Sequence, residues 1–453
     1  MTQKRRPLLF AIAALAFVIL IGGVFIANPY ARVAAGYKAK NLCSEVFVAR
    51  RDINAVLNAD FAPVSPLLGL VSTRLDQTEK TVSASLLGLG RAQARYRPGY
   101  GCRLIVDGAK AATPDIAAIS AKPWPIASSN SVTSHRQTID ALIENANDDQ
   151  RAGHRAVALF IDGALSYEWY ADGFSKETPF ISWSMAKSVT AAAAGIAVRE
   201  DLLELDAPTP IDAWSTRDDK RGAITWRHLL HMNSGLHFEE AYADPHAEIS
   251  TMLFSAPGMA DVAINAALDH APGTHWSYSS GTTNILQRGL RRALEAAGRD
   301  YHTFTHEELF APLGLSSAVF ETDGVGDFVG SSYLYATARD WGKLGQLLLQ
   351  DGVWESVRIL PEGWTQFVTA PTKESDREYG AHFWLNQDGI NGRERYMPTI
   401  PDTAYMMAGH YGQYVLVLPS MNAVFVRLGF TAEGEPMDVS GPLFEDIYAL
   451  LTQ

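Results

Sequence analysis

The sequence predicts an α/β protein of the α+β kind, with one antiparallel sheet flanked by helices and a helical subdomain inserted between its strands. Residues 156–170 hold two apolar runs around Asp162-Gly163, the pattern of a β-hairpin. Further strand patterns occur only near the end of the chain, in two alternating apolar runs at Tyr414–Leu418 and Ala423–Gly429. A turn at Pro419–Asn422 separates these two runs. Mainly helical patterns lie between, including Trp226–Met232, Met259–Ala267, Thr283–Ala297 and Ala338–Gln350. We expect the first and last strands to share one antiparallel sheet.

The length, composition and net charge of the chain limit the kinds of protein that it can be. The chain has 453 residues, more than one core usually holds, and its 47% hydrophobic and 19% charged residues are ordinary for a globular protein. We therefore expect one large unit with additional segments. The formal net charge of −12 argues against a nucleic-acid partner, which would require a basic surface.

The N-terminus predicts export. Lys4-Arg5-Arg6 precedes about twenty uncharged, mostly apolar residues, 8–27, which are enough to span a bilayer core. The positive flank would remain cytoplasmic. A cleaved signal peptide is the alternative, but the apolar run exceeds the usual length and Asn28-Pro29-Tyr30 is a poor cleavage site. We expect residues 1–29 to be an inner-membrane anchor with the rest of the chain periplasmic, or a signal whose removal yields a secreted protein.

Residues 30–130 are interpreted as a small N-terminal extension and linker. A helical pattern covers Val46–Ala59, and apolar residues alternate in 81–87. The stretch 122–134 is polar and bounded by prolines, which is typical of a linker that leads into the main unit. We therefore place that unit at 131–453. Cys43 and Cys102 are the only two cysteines of the chain. On the export side a disulfide between them is expected, although two separate buried thiols are the alternative.

Ser184 and Lys187 form a Ser-x-x-Lys pair at what we interpret as the first turn of a buried helix. Residues three apart share a helix face, so the amine can reach the hydroxyl, while the helix N-terminus favours a developing alkoxide. The small residues of 191–195 allow close packing and a rigid serine. This pattern is typical of a nucleophile activated without histidine.

Two further short motifs follow the Ser184–Lys187 pair along the sequence. A Tyr-Ser-Ser occurs at 278–280 and a His-x-Gly at 410–412. With the Ser-x-x-Lys pair they resemble the three motifs of the penicillin-recognising serine hydrolases. The wider sequence resembles class C β-lactamase-related hydrolases, and within them the 6-aminohexanoate-dimer hydrolases most, in the stretches 183–190, 229–236, 272–284, 336–341 and 409–413.

The resemblance implies the β-lactamase/transpeptidase-like fold and a role for each matching residue. Ser184 matches the nucleophile and Lys187 the amine that takes its proton. Tyr278 matches the tyrosine whose phenol or phenolate shuttles protons. The alternative for Tyr278 is a packed aromatic side chain.

The remaining motif positions match the part of the site that binds substrate. Ser280 stands where many relatives carry Asn, and its hydroxyl could donate to a substrate carbonyl or contact Lys187, or only shape the turn. His410 stands where relatives carry a lysine, and Gly412 would let the substrate approach the strand edge. The backbone amides of Ser184 and Gln413 would form the oxyanion hole. A histidine at a strand start without substrate contact is the alternative for His410.

Other candidate groups are placed outside the site. His228-x-x-His231 lacks the arrangement of a zinc hydrolase, so we expect no metal and no cofactor. No Gly-x-Ser-x-Gly elbow occurs. Glu239, Glu240 and Asp244 are interpreted as a solvated acidic loop. Several aromatic residues near the motifs could line a cleft but are more often core: Trp183, Trp276, Trp384 and Tyr411.

The sequence therefore predicts a serine hydrolase that forms an acyl-enzyme with small amides or esters. The alternatives are a cell-wall D-amino-acid peptidase, a weak β-lactamase, or a non-catalytic penicillin-binding-like module. Because imidazole is largely neutral at pH 7, His410 should bind a substrate carboxylate weakly. We expect poor turnover of cephalosporins, improving between pH 8 and pH 6 as His410 gains charge.

Overall fold

Thirteen helices occur in the part of the chain that a computed structural model describes, residues 28–106, 114–126, 131–148, 152–242, 244–431 and 434–453. They are α1 (described over residues 28–47), α2 Ile53–Val56, α3 Ser131–Asp148, α4 Ala186–Arg199, α5 Trp226–Leu230, α6 Glu248–Phe254, α7 Met259–Ile264, α8 Ser280–Ala296, α9 Tyr301–Thr305, α10 Ala311–Leu313, α11 Ala338–Leu349, α12 Trp364–Thr369 and α13 Pro436–Leu451.

The strands of the same described residues form four sheets. They are β1 Val71–Asp76, β2 Thr81–Leu86, β3 Leu89–Arg97, β4 Gly101–Leu104, β5 His154–Ile161, β6 Ala164–Tyr170, β7 Phe180–Ile181, β8 Val319–Phe320, β9 Leu334–Ala336, β10 Val353–Trp354, β11 Val357–Arg358, β12 Trp384–Leu385, β13 Tyr405–Gly409, β14 Gln413–Leu418 and β15 Ala423–Gly429.

The central sheet has the order β12-β13-β14-β15-β5-β6, and every neighbouring pair is antiparallel. The first and last strands share one sheet, as expected, since β5 pairs with β15 and Phe425 lies opposite Leu159. Alternate residues of β5 face opposite layers, as the two-residue period of a strand requires. Ala158 and Phe160 belong to the core shared with α4 and α11, while Leu159 belongs to the core shared with α3 and α13.

Small residues bring the helices close to the sheet. A Cβ atom at Gly345 of α11 would lie 2.5 Å from a methyl carbon of Val424, and one at Gly342 would lie 2.2 Å from the Phe160 ring. Larger side chains at these two positions would push α11 away from β5 and β15. The helical subdomain, including α5 to α9, is inserted between β7 and β8, as the sequence predicts.

The N-terminal extension contains α1 and the four-stranded sheet β1-β2-β3-β4. Cys43 of α1 is joined to Cys102 of β4 by a disulfide. The extension contacts the main unit through a buried ion pair, in which Lys40 Nζ lies 2.5 Å from Glu321 Oε2. Glu321 also accepts hydrogen bonds from the Ser44 hydroxyl and the Cys102 amide. Because all these groups are buried, the extension is an integral part of the fold.

The predicted N-terminal helix and the predicted membrane anchor both concern the first sixty residues. The helical pattern predicted over Val46–Ala59 is confirmed in part: α1 ends at residue 47, Arg50 takes a positive φ of 57°, and helical structure resumes after Asp52 in α2 and in the π-helical turn Leu57–Phe61. The apolar run 8–27 lies outside the described residues. Within the described ranges, no helix combines the length and apolar character needed to cross a bilayer.

Candidate active site

Ser184 lies on a short 3-10 turn, Trp183–Met185, between β7 and α4. The sequence places it in the first turn of a helix, and the structure places it directly before α4. Trp183 adopts a φ of 44°, a left-handed conformation that costs energy for a bulky residue and is held here by packing against Tyr333 and Tyr411. The turn leaves the Ser184 side chain partly exposed while its neighbours are buried.

Lys187 is buried in the first turn of α4, with 1% of its surface exposed. Its Nζ lies 2.9 Å from Ser184 Oγ, 2.9 Å from Ser280 Oγ and 3.1 Å from the Ser331 carbonyl oxygen. Burial lowers the pKa of this amine to about 8, against the opposing effect of the Glu240 carboxylate. Near neutral pH a fraction of the amine is therefore uncharged and can accept the Ser184 proton.

Ser280 begins α8, and its N-cap, Ser279, accepts a hydrogen bond from the Thr282 amide. The Glu240 carboxylate lies at this helix N-terminus, where it accepts bonds from the Ser280 amide at 2.9 Å and the Ser280 hydroxyl at 2.5 Å. Burial raises the pKa of the Glu240 carboxyl, while Lys187 and the Ser280 hydrogen bonds oppose that rise. A chain of contacts thus joins Glu240 to Lys187 through the Ser280 hydroxyl.

Tyr278 covers the other side of Lys187. Its ring centroid lies 4.8 Å from Lys187 Nζ, and its ring packs against Tyr379 and Trp384. Burial and, secondarily, the Glu240 charge raise the pKa of the phenol, although a hydrogen bond with Ser184 acts the other way. Tyr278 is therefore a neutral phenol at neutral pH, in contact with Ser184 and able to donate a proton.

The β13–β14 hairpin forms the opposite side of the site. Gly409 pairs with Gln413, and a Cβ atom at Gly409 would lie 2.1 Å from the Ser182 carbonyl oxygen. This glycine therefore allows the hairpin to approach the Ser184 turn. Gly412 has a φ of 82°, and its carbonyl accepts a hydrogen bond from the Arg427 guanidinium, which a Cβ atom at Gly412 would strike. Gly412 thus shapes the turn and is not among the residues that line the cavity.

His410 lies flat against Tyr242, with ring centroids 4.7 Å apart and an interplanar angle of 7°. Burial lowers the pKa of its imidazole to about 4. The expected gain of charge between pH 8 and pH 6 is therefore wrong, because the ring is already neutral throughout that interval. The third motif presents a neutral aromatic surface instead of a cation.

These residues surround a cavity of about 280 Å³ that opens over Ser184. One side is formed by Glu240, Tyr242 and His410, and another by Tyr278 and Trp384. Two carboxylates, Glu240 and Glu435, line it, whereas no lysine or arginine is found among the described lining residues. The described residues also contain no cluster of three or more His, Cys, Asp or Glu side chains that could hold a metal ion.

Comparison with known proteins agrees with this geometry. The Beta-lactamase family model matches residues 139–445, which is more than half of the chain and contains every group described above. The chain belongs to the beta-lactamase family. The prediction of a serine hydrolase related to the β-lactamases is confirmed at the level of the family.

The chain is similar to a characterised enzyme and to several solved structures. The chain is 24% identical over 246 residues to the 6-aminohexanoate-dimer hydrolase of Paenarthrobacter ureafaciens, a match that covers 51% of this chain and 62% of that protein, less than two thirds of its length. A solved structure from Bacillus anthracis, provisionally named a 6-aminohexanoate-dimer hydrolase, has a TM-score of 0.59 at 21% identity over 74% of this chain and 89% of its own.

A second solved structure, EstCE1, is described as a hydrolase with promiscuous acyltransferase activity. It has a TM-score of 0.56 at 18% identity over 72% of this chain and all of its own. At this level of identity both structures show the fold. The predicted β-lactamase/transpeptidase-like architecture is confirmed by them.

The structure brings most of the predicted site residues together. Ser184, Lys187 and Ser280 are in direct contact, and Tyr278 and His410 line the cavity above them. Gln413 lies at the hairpin end beside Gly409, with its side chain bonded to Gly429.

The residues of the site that sequence reasoning missed include Glu240 and Gly409. The interpretation of Glu240 as part of a solvated loop is wrong, because α8 brings its N-terminus to that carboxylate. Its neighbours Glu239 and Asp244 are exposed, as expected. Gly409 was missed in favour of Gly412, and its position directly before the His-x-Gly motif was the available signal.

Proposed function

We propose that the protein is a serine hydrolase that forms an acyl-enzyme with small, uncharged or cationic esters and amides. The observation that carries this proposal is the contact between Ser184 Oγ and a buried Lys187 amine whose pKa is lowered to about 8. Activation of a serine hydroxyl needs a base that is partly uncharged at working pH, and this amine meets that condition.

In the proposed acylation step, Ser184 Oγ attacks the acyl carbonyl carbon and its proton passes to Lys187 Nζ. The backbone amides of Ser184 and Gln413 are proposed to stabilise the resulting oxyanion. The Tyr278 phenol donates a proton to the leaving alkoxide or amine, and the proton held on Lys187 restores the phenol. An acyl ester on Ser184 and the released alcohol or amine are the products of this step.

Deacylation uses the same groups in reverse. A water molecule enters where the leaving group stood and attacks the ester carbon while its proton passes to the base. Collapse of the intermediate returns a proton to Ser184 Oγ and releases the carboxylic acid. The Ser331 carbonyl keeps Lys187 in place during both steps, since Asn284 holds Ser331 by two hydrogen bonds.

Poor β-lactamase activity remains part of the proposal. The neutral His410 offers a substrate carboxylate no cation, and the two lining carboxylates repel it. Hydrolysis of a short neutral p-nitrophenyl ester, the matching nitroanilide and a chromogenic cephalosporin should be measured for the wild type and Ser184→Ala. We expect Ser184-dependent turnover of the ester, with a much lower kcat/KM for the cephalosporin. Ester turnover that persists in Ser184→Ala would refute the proposal.

We also propose that residues 8–27 anchor the protein in the inner membrane, with the main unit on the exported side. Support comes from the apolar run behind Lys4-Arg5-Arg6 and from the Cys43–Cys102 disulfide, a bond typical of oxidising compartments. Full-length protein should remain with membranes after carbonate extraction. Recovery of soluble protein that starts after residue 27 would show cleavage instead.

A further inference from the structure

Helix α1 of the N-terminal extension contacts both aromatic residues that pack against Trp183. The Tyr37 hydroxyl oxygen lies 3.5 Å from that of Tyr411, and Lys40 Nζ lies 3.8 Å from the centroid of the Tyr333 ring. The Tyr411 and Tyr333 rings lie 5.9 Å and 6.3 Å from the Trp183 ring, measured between centroids. Since α1 precedes the region that the family model matches, these contacts come from a part of the chain outside it.

Trp183 and Tyr411 share an unfavourable backbone conformation. Trp183 has a φ of 44° and Tyr411 a φ of 59°, both in the left-handed region that costs energy for a bulky residue. Trp183 directly precedes Ser184, and Tyr411 lies two residues before Gln413. Each residue that is proposed to give an amide to the oxyanion hole therefore follows a strained residue. Such conformations persist only where the surrounding contacts fix them.

The Tyr37 side chain is itself fixed from two sides. Its ring lies edge-on to those of Phe61 and Phe254, with centroids 5.8 Å and 5.1 Å away. Phe254 belongs to α6 of the helical subdomain. Next to Phe61, the Asp60 carboxylate accepts a hydrogen bond from the Arg155 guanidinium of β5. The elements around Tyr37 are therefore attached to both the helical subdomain and the central sheet, which makes this tyrosine a rigid support.

We propose that Tyr37 is a positioning residue for catalysis. It holds Tyr411, and through Tyr411 it holds Trp183. The backbone amides of Ser184 and Gln413 thereby stay aligned on the developing oxyanion. The inference rests on the proposed serine hydrolase activity and gives the N-terminal extension a part in it. Because a displacement of about 1 Å can cost about 100-fold in rate, a contact behind the site can change kcat.

Tyr37→Phe tests the contact with Tyr411 alone, since the variant loses the hydroxyl and keeps the packing of the ring. With a neutral p-nitrophenyl ester we expect kcat to fall about threefold, as for the loss of one long hydrogen bond. KM should not change, because the oxyanion hole acts in the transition state. The matched control is Tyr30→Phe, which removes a hydroxyl from the same helix, where the ring contacts His246, and should leave kcat unchanged.

Tyr37→Ala removes the whole ring and should lower kcat by about tenfold or more, again at constant KM. Its control is Phe47→Ala, because Phe47 is a half-buried ring of the same helix that packs against Tyr96 of β3 within the extension. That variant should keep the wild-type kcat. Affinity for a trifluoromethyl ketone, which forms a tetrahedral oxyanion on the serine, should fall in proportion to kcat in Tyr37→Ala. The rising limb of kcat/KM with pH, which reports Lys187, should not move.

Tyr37→Phe decides the inference even if Tyr37→Ala does not fold, because the phenylalanine variant keeps the ring. A wild-type kcat in Tyr37→Phe would overturn the positioning role of Tyr37. An equal loss of kcat in Phe47→Ala, or a rise in KM that accounts for the loss in Tyr37→Ala, would overturn it as well. None of these results affects the hydrolase proposal, which fails instead if the wild type shows no ester turnover that depends on Ser184.

Discussion

Glu240→Gln should shift the pH dependence of catalysis toward lower pH. The Glu240 carboxylate raises the pKa of Lys187, whereas burial lowers it to about 8. Removing the negative charge leaves burial unopposed, so the pKa should fall further. Since Lys187 must be uncharged to accept the Ser184 proton, the variant should become active at lower pH than the wild type.

The size of the shift follows from the geometry. The two charges are joined by hydrogen bonds of 2.9 Å and 2.5 Å through the Ser280 hydroxyl, so they are at most about 5.4 Å apart. At that distance an effective dielectric constant of about 20 gives an interaction of about 3 kcal/mol, or about two pKa units. Because Glu240 is only partly buried and the cavity is open to water, we expect about one unit.

The assay is kcat/KM for a neutral p-nitrophenyl ester between pH 6 and pH 10, whose rising limb reports the base in the free enzyme. The limb should lie near pH 8 in the wild type and about one unit lower in Glu240→Gln. Glu239→Gln is the control, because that exposed neighbour has no contact with Lys187 and should leave the limb in place. An unmoved limb in Glu240→Gln, or one shifted upward, would refute the electrostatic reasoning.

Three further variants test other parts of the site and fold. Tyr278→Phe should lower kcat by about 100- to 10,000-fold without a change in melting temperature, since it removes one proton donor; near-normal turnover would contradict that role. His410→Lys should raise kcat/KM for a cephalosporin relative to a neutral ester, whereas the wild-type ratio should not change between pH 8 and pH 6; a wild-type change would show that His410 titrates there. Cys43→Ala should lower the free energy of unfolding by about 2–4 kcal/mol in denaturant titrations, and an unchanged value would show that the disulfide contributes nothing.

The parts of the site that follow from local sequence could be predicted. Ser184 and Lys187 are three residues apart, and that spacing brings their side chains together even though Ser184 lies on a 3-10 turn before the helix. Tyr278 and Ser280 were identified because they belong to one short motif at the start of α8. The sheet could be predicted because its strands are apolar runs separated by turn residues at both ends of the main unit.

The parts that depend on distant packing could not be predicted. Glu240 lies in a run of acidic residues, and nothing local shows that α8, forty residues later, will bring its N-terminus to this carboxylate alone. The low pKa of His410 depends on burial against Tyr242, which lies far away in the sequence. Likewise, the end of α1 is set by the positive φ of Arg50 and the new cap at Asp52, which compete with an unbroken helical pattern.

The central claim is that Ser184 is a nucleophile activated by Lys187, and its most direct test is the site of covalent labelling. The purified protein should be treated with a fluorophosphonate at pH 8 and digested, and the modified peptide should be identified by mass spectrometry. We expect one phosphonyl group on Ser184, much slower labelling in Lys187→Ala, and none in Ser184→Ala. Labelling of another serine at the same rate, or labelling of Ser184 that is indifferent to the loss of Lys187, would contradict it.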